Sequence, residues 1–294
     1  MEGSDPTLAA RDMVGSDPHS GALTCLCRSC PGARHNRRVV PIVFAAIAAA
    51  LFTQAVIRLR RRGRADLAGW DRVALFSAGL AVTLFALVGP LDRLADDELL
   101  SAHMAQHVLI GDLGPALMLV ALRGPLLVFL LPAPVLAPIA RNARVRSVLG
   151  TLLRPRVAFG LWAANLAFWH VPYMYDLALE HENLHYFEHF LWVLFGTLVW
   201  TLLIDPGSHK RLTVGGRVAL AAALFAAGQI LTDVLVFSFT PLYSWYHGAH
   251  GLSALADQQV SGLVMMAEQL LTLGTCVALL LRPRWRGRAR VATA

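Results

Sequence analysis

Seven apolar runs recur along the chain, at approximately 39–57, 73–90, 103–122, 156–172, 186–204, 216–238 and 259–281. Each is close to the roughly 20 residues that an α-helix needs to cross the hydrocarbon core of a bilayer. The runs are continuous and do not alternate between apolar and polar positions, which excludes a transmembrane β-barrel. The pattern predicts an all-α fold, a polytopic membrane helical bundle with seven transmembrane helices in one domain over residues 39–281. A further apolar stretch, 125–140, holds Pro125, Pro132, Pro134 and Pro138. Prolines at that density remove backbone donors and break a helix. This stretch is predicted to be a re-entrant or interfacial segment, not a crossing.

The charged positions between the runs orient the bundle. Arg58, Arg60, Arg61, Arg62 and Arg64 follow the first run. Arg141, Arg144, Arg146, Arg154 and Arg156 precede the fourth, and Lys210, Arg211 and Arg217 precede the sixth. Arg282, Arg284, Arg286, Arg288 and Arg290 follow the seventh. Basic residues concentrate on the cytoplasmic side. Seven crossings put all these clusters there, with the N-terminus outside and residues 282–294 as a basic cytoplasmic tail. Arg34, Arg37 and Arg38 oppose this orientation but are outweighed by the cluster after the first run. The outer loops then carry Asp92, Asp96, Asp97 and Glu98, and Asp176, Glu180 and Glu182. The last outer loop, 239–258, holds Tyr243, Trp245 and Tyr246, predicted to form an interfacial aromatic belt. Residues 1–38 are polar and aperiodic, predicted to be a disordered tail.

Composition agrees with a membrane protein. The chain has 294 residues, 56% hydrophobic and 15% charged, against about 25% charged in a typical soluble domain. Its mean hydropathy is +0.54. The net charge of +7 raises nucleic acid as a partner, but the arginines stand at helix ends, where they meet lipid headgroups. No nucleic-acid partner is expected; a lipid bilayer is. Of four cysteines, Cys276 falls inside the last run, and Cys25, Cys27 and Cys30 stand together in the tail without a standard zinc spacing.

The candidate chemistry gathers at the predicted outer edge. His103, His107, His170, His181, His185, His189, His247 and His250 all fall there. Imidazole is the commonest metal-ligating side chain. His103 and His107 are i,i+4 and share one helix face. His181, His185 and His189 repeat the spacing, with Glu182 and Glu188 near enough in sequence to orient ligating histidines. Met104 adds a soft thioether on another face. His170 stands at a helix end stopped by Pro172. His247 and His250 lie in a Gly-containing loop and read as solvated residues. Asp257, at the mouth of the last run, suits either a hard ligand or a helix N-terminus. Deeper in the runs are Asp112, Asp233 and Glu268, and ionisable residues inside a membrane mark ion or proton pathways by default.

Read in order, His103-Met-x-x-His107 leading to Pro115, His170-x-Pro172, His185-x-x-x-His189 with Trp200, and Asp257-Gln258-x-x-x-Gly262 resemble the CtaG family, assembly factors of caa3-type cytochrome c oxidases. The resemblance covers about residues 70–281. Met266 departs from it, standing where the family pattern has a tryptophan. The resemblance implies a seven-span protein of the cytoplasmic membrane that is no enzyme. It implies a protein that binds copper transiently at an outer-face site and delivers it to a cytochrome c oxidase subunit. Carried over residue by residue, the metal candidates are His103, His107, His170, His185 and His189, with Asp257. Two alternatives stand beside this reading. Paired histidines on neighbouring helices also suit a haem-binding electron-transfer protein. Asp112, Asp233 and Glu268 also suit the relay of a proton-coupled transporter.

Overall fold

The computed structural model describes backbone structure for residues 31–292 and side chains for residues 38–282. The chain divides into two units, Met1–Val40 and Pro41–Ala294. Of the first, only residues 31–40 are described, as the opening of a helix; Cys25, Cys27 and Cys30 lie outside the described residues.

Helices account for all the regular structure among the described residues. Helix α1 (Pro31–Arg61) begins inside the stretch predicted to be a tail. A 3-10 turn, Ala65–Leu67, leads to α2 (Trp70–Val88) and the short α3 (Pro90–Asp97). Helix α4 (Leu100–Val108) continues through a π-helical turn, Leu109–Leu113, into α5 (Gly114–Ala121). Three short helices follow, α6 (Pro125–Phe129), α7 (Ala133–Arg141) and α8 (Ala143–Leu152). Then come α9 (Pro155–Trp169), α10 (Pro172–Glu180), α11 (Glu182–Ile204), α12 (Val214–Phe237) and α13 (Ala254–Ala292). Pro90, Pro125, Pro155 and Pro172 each open a helix. The first helical position needs no N–H, and proline's fixed φ suits it.

Six described helices are long and apolar enough to cross a membrane: Arg38–Arg61, Ala65–Val88, Leu100–Ala121, Glu182–Ile204, Val214–Phe237 and Ala254–Arg282. The chain is an all-α, multi-pass membrane protein. The fourth apolar run forms α9, which has 15 residues. At 1.5 Å per residue it is about 22 Å long, shorter than the roughly 30 Å hydrocarbon core. Prolines clip it at both ends. The Pro-rich segment does not cross: it folds as α6 and α7, broken at Pro132. Gln54 fastens it to α1, donating to the carbonyls of Phe129 (3.0 Å) and Leu130 (2.7 Å).

The helices are not equal. In the most apolar part of Leu100–Ala121, 61% of residues are buried, and in Glu182–Ile204, 50%; in the first, second and last spans it is 17%. The two histidine-bearing helices are therefore central, and the outer ones present Phe85, Ile230 and Leu271 as lipid-facing side chains. Glycine lets the central helices approach. A Cβ on Gly196 would run into the Gly111 carbonyl, and one on Gly79 would come within 2.8 Å of the Gly114 carbonyl. Small residues at such crossings are how membrane helices gain close packing.

The π turn has a local cause. The Gly114 N–H bonds to the Leu109 carbonyl, five residues back, and Pro115 has no N–H to continue the regular ladder. One residue is thereby accommodated as a bulge, and Asp112 on it meets Trp200, whose indole N–H donates to Asp112 Oδ1 at 3.0 Å.

Candidate metal centre

His103 and His107 lie on one face of α4, and His185 and His189 on the facing side of α11. Their ring centroids are 4.3 Å and 4.2 Å apart within each pair. Across the helices, His103 stacks on His185 at 5.1 Å and His107 meets His189 edge-on at 5.3 Å. All four are buried, and each offers a ligand atom within 4.8 Å of every other. His103 Nε2 and His107 Nε2 are 3.0 Å apart.

A surrounding polar shell fixes this geometry. The first turn of α4 has N–H groups that its own helix cannot satisfy. Asp257 of α13 takes them. Its Oδ2 accepts from Leu100 N at 2.6 Å; its Oδ1 accepts from Ser101 N at 3.1 Å and from the Ser101 hydroxyl at 2.5 Å. One carboxylate thus ties down the helix that carries His103 and His107, with the helix dipole favouring its charge.

Above the pair, Tyr246 donates to the Ala95 carbonyl, and burial pushes its phenol well above the ordinary range, so it stays protonated. His103 Nδ1 lies 3.0 Å from the Tyr246 oxygen and 3.3 Å from the Ala95 carbonyl. With Nδ1 turned toward these oxygens, His103 points Nε2 into the cluster beside His107 Nε2. Trp245 N–H donates to the Asp96 carbonyl at 3.0 Å, so the 239–253 loop grips the end of α3 at two points.

Carboxylates stand close by. Asp96 Oδ1 is 3.7 Å from His185 Nδ1, and Glu188 Oε1 is 3.6 Å from His107 Nε2. Trp192 N–H donates to the same Glu188 oxygen at 3.4 Å. Within this buried set, His107 Nδ1 and His189 Nε2 have no hydrogen-bond partner. Buried polar atoms are nearly always paired. Unpaired nitrogens among four converging imidazoles fit a site for a metal ion.

The six sequence candidates separate accordingly. His103, His107, His185 and His189 are brought together. His170 is not among the four: as the last residue of the α9 turn, its Nδ1 donates to the Leu166 carbonyl at 2.8 Å, and its Nε2 is 3.4 Å from Met104 Sδ. Asp257 is not among the four: its oxygens accept from three donors of α4, the Leu100 N–H, the Ser101 N–H and the Ser101 hydroxyl. His181, one residue ahead of α11, is exposed, as are His247 and His250; His250 Nε2 pairs with Glu98 at 2.6 Å. Of the two glutamates, Glu188 is at the cluster, whereas Glu182 accepts from Tyr186 on α11.

The expected aromatic belt is corrected. Tyr243 and Tyr246 are 4% and 5% exposed and point into the protein, Tyr243 donating to the His170 carbonyl at 3.2 Å. Tyr246 and Asp96 are the members of the shell that pattern reading missed. Both sit in loop or helix-end positions, and an outer loop rich in aromatics was the only signal for the first.

The carboxylates of the runs do not gather at the cluster. Asp112 meets Trp200. Asp233 is exposed on α12 and accepts from Gln229 at 2.9 Å. Glu268 lies within electrostatic reach of Asp112.

Comparison with curated proteins and with solved structures finds no match. The family model for the cytochrome c oxidase caa3 assembly factor, Caa3_CtaG, matches residues 50–287 and so includes both histidine helices and Asp257. With most of its length covered and its four buried imidazoles inside the match, the chain belongs to the family of cytochrome c oxidase caa3 assembly factors.

Proposed function

We propose that this protein carries copper at the outer face of the cytoplasmic membrane and hands it to a cytochrome c oxidase subunit during assembly, acting as a carrier and not as a catalyst. The observation that carries this reading is the convergence of four buried imidazoles whose ligand atoms lie within 4.8 Å of one another. Membership in an oxidase assembly family supplies the recipient. Imidazole nitrogens suit copper among the first-row metals, and copper heads the divalent affinity order. In this reading His103, His107, His185 and His189 hold the ion. Tyr246 and the Ala95 carbonyl orient the His103 ring, and Asp257 positions α4.

The sidedness belongs to the same proposal. The cluster lies at the starts of α4 and α11, at the ends opposite Arg123 and Lys210–Arg211. With basic loops inside and the short, proline-bounded α9 completing a seventh crossing, the N-terminus is outside, the C-terminus is cytoplasmic, and the cluster faces the outer side. Transfer proceeds by ligand exchange, one imidazole at a time, to the incoming subunit. A haem reading is disfavoured by packing: imidazoles 4.2–5.3 Å apart leave no room for a macrocycle among them.

The test is metal analysis of the purified protein after copper loading and desalting. Wild type is expected to retain copper at the imidazole cluster, and the His103→Ala/His107→Ala/His185→Ala/His189→Ala variant to lose that copper; equal retention overturns the binding claim. Delivery is tested by deleting the gene. Lowered oxidase copper content, restored by excess copper in the medium, is expected, and normal oxidase metal content overturns it.

A further inference from the structure

We propose that Met104 and His170 form a second copper site, selective for copper(I), adjoining the four-imidazole cluster. This rests on the copper reading above and adds to it a soft ligand set.

The sequence places Met104 one residue past His103, on a face of α4 turned away from the four-histidine face. That face meets the end of α9. There Pro172 stops the helix, and the His170 ring turns back along its own helix, donating from Nδ1 to the Leu166 carbonyl at 2.8 Å. A neutral imidazole donating from Nδ1 keeps its lone pair on Nε2. That lone pair faces Met104 Sδ, 3.4 Å away. A thioether sulfur offers lone pairs and no proton, so the contact is between two donors of electron pairs, both buried.

For metal–nitrogen and metal–sulfur bonds of about 2.0 and about 2.3 Å, as at zinc, a 3.4 Å separation seats one ion between the two atoms at a near-tetrahedral angle. Thioether with imidazole selects copper(I) over harder ions. A small cavity lies against the pair, lined by Met104, His107, Leu166, His170, Trp192 and Met265. Met265 brings a second thioether to the same wall, and His107 belongs both to this wall and to the cluster. His107 thus stands between the two sites as a ligand that either could share. Copper is bound and released as copper(I) here, and no electron transfer is involved.

The experiment uses the full chain with Cys25, Cys27, Cys30 and Cys276 changed to alanine, so that methionine is the only sulfur present. The protein is loaded anaerobically with copper(I) and studied by copper X-ray absorption and metal analysis. Wild-type ligands at both sites should give sulfur scattering at about 2.3 Å, by analogy with zinc–sulfur bonds, in addition to nitrogen. Met104→Leu, a volume-conserving change that cores tolerate, should remove the sulfur signal and one copper while the imidazole-bound copper stays. The variant lacking the four cluster histidines should retain the sulfur-ligated copper. Stoichiometric copper with nitrogen scattering alone overturns the second site and leaves the cluster standing. Sulfur scattering that survives both Met104→Leu and Met265→Leu also overturns it. Copper lost only with Met104, and unaffected by the four-histidine variant, overturns the cluster reading instead.

Discussion

Two polar groupings interrupt this apolar bundle, and they are built in opposite ways. The four imidazoles come as two i,i+4 pairs from the two most buried helices, near their ends, and their ligand atoms converge. Of the three carboxylates, Asp112 and Glu268 sit deeper and within electrostatic reach of each other, and Asp233 is exposed near the end of α12. Asp112 is held by an indole N–H and Asp233 by a carboxamide. The histidine group is the one convergence of three or more His, Cys, Asp or Glu side chains among the described residues. The contrast separates a site from a set of individually placed polar groups. Convergence requires a shell that fixes each lone pair.

If that distinction is right, the histidine site depends on its shell, and the largest effect of breaking the shell should come from Asp257. Asp257→Asn keeps the shape but turns one acceptor oxygen into a donor facing an α4 N–H. Losing a charge-assisted bond and leaving a buried donor unmet costs about 2–3 kcal/mol. Thermal unfolding in detergent should fall accordingly. Copper retention should fall with it, because α4 loses its anchor. An unchanged midpoint, or a lowered midpoint with full copper affinity, would show that the cluster is set by α4 alone.

The same contrast decides what pattern reading could reach. The histidine pairs were legible because i,i+4 is a local signal: helix geometry alone puts His103 over His107 and His185 over His189. The apolar runs were legible for the same reason, and the proline spacing showed that 125–140 does not cross. What was not legible is long in sequence. Asp257 reaches Leu100 across 157 positions, and Tyr246 reaches His103 across 143; neither leaves a mark on local periodicity. The sequence leaves Asp257 open between a ligand and a helix N-terminus, and only the fold shows its oxygens accepting from Leu100 and Ser101. Tyr243 and Tyr246 were read as headgroup anchors when their hydroxyls face inward. His170 had the right depth, but where α9 stops determines where its ring points. The close approach of Gly196 to Gly111 is likewise a tertiary fact.

A smaller effect should sharpen the shell further. Tyr246→Phe keeps the ring in its buried place and removes only the hydroxyl shared by Ala95 and His103 Nδ1. One neutral hydrogen bond contributes about 1 kcal/mol, so stability should shift little. Copper affinity should drop more, by roughly 10-fold or beyond, as when a group orienting a metal-bound histidine is lost. A competition titration with a chelator measures it. Equal affinity would mean that His103 takes its orientation from the Ala95 carbonyl alone.

The smallest effect should come from the other grouping. Glu268→Gln preserves shape and hydrogen-bonding capacity and removes the ionisable proton. If the deep carboxylates are separate from the metal site, copper retention should be unchanged and stability should move by less than about 1 kcal/mol, within the range of a mild substitution. A carboxyl inside a membrane is by default a candidate for moving protons. That default predicts the opposite result here: copper loading of reconstituted protein that loses its dependence on an imposed pH gradient once Glu268 is changed. The cavity below the cluster makes this a real alternative, since Asp112 and Gln269 line it together with His107. A drop in copper loading at unchanged fold would join the two groupings into one device, in which a carboxyl proton is exchanged as the ion moves. Unchanged loading, with or without the gradient, would leave Glu268 as a tolerated polar group and keep the chemistry at the histidine end.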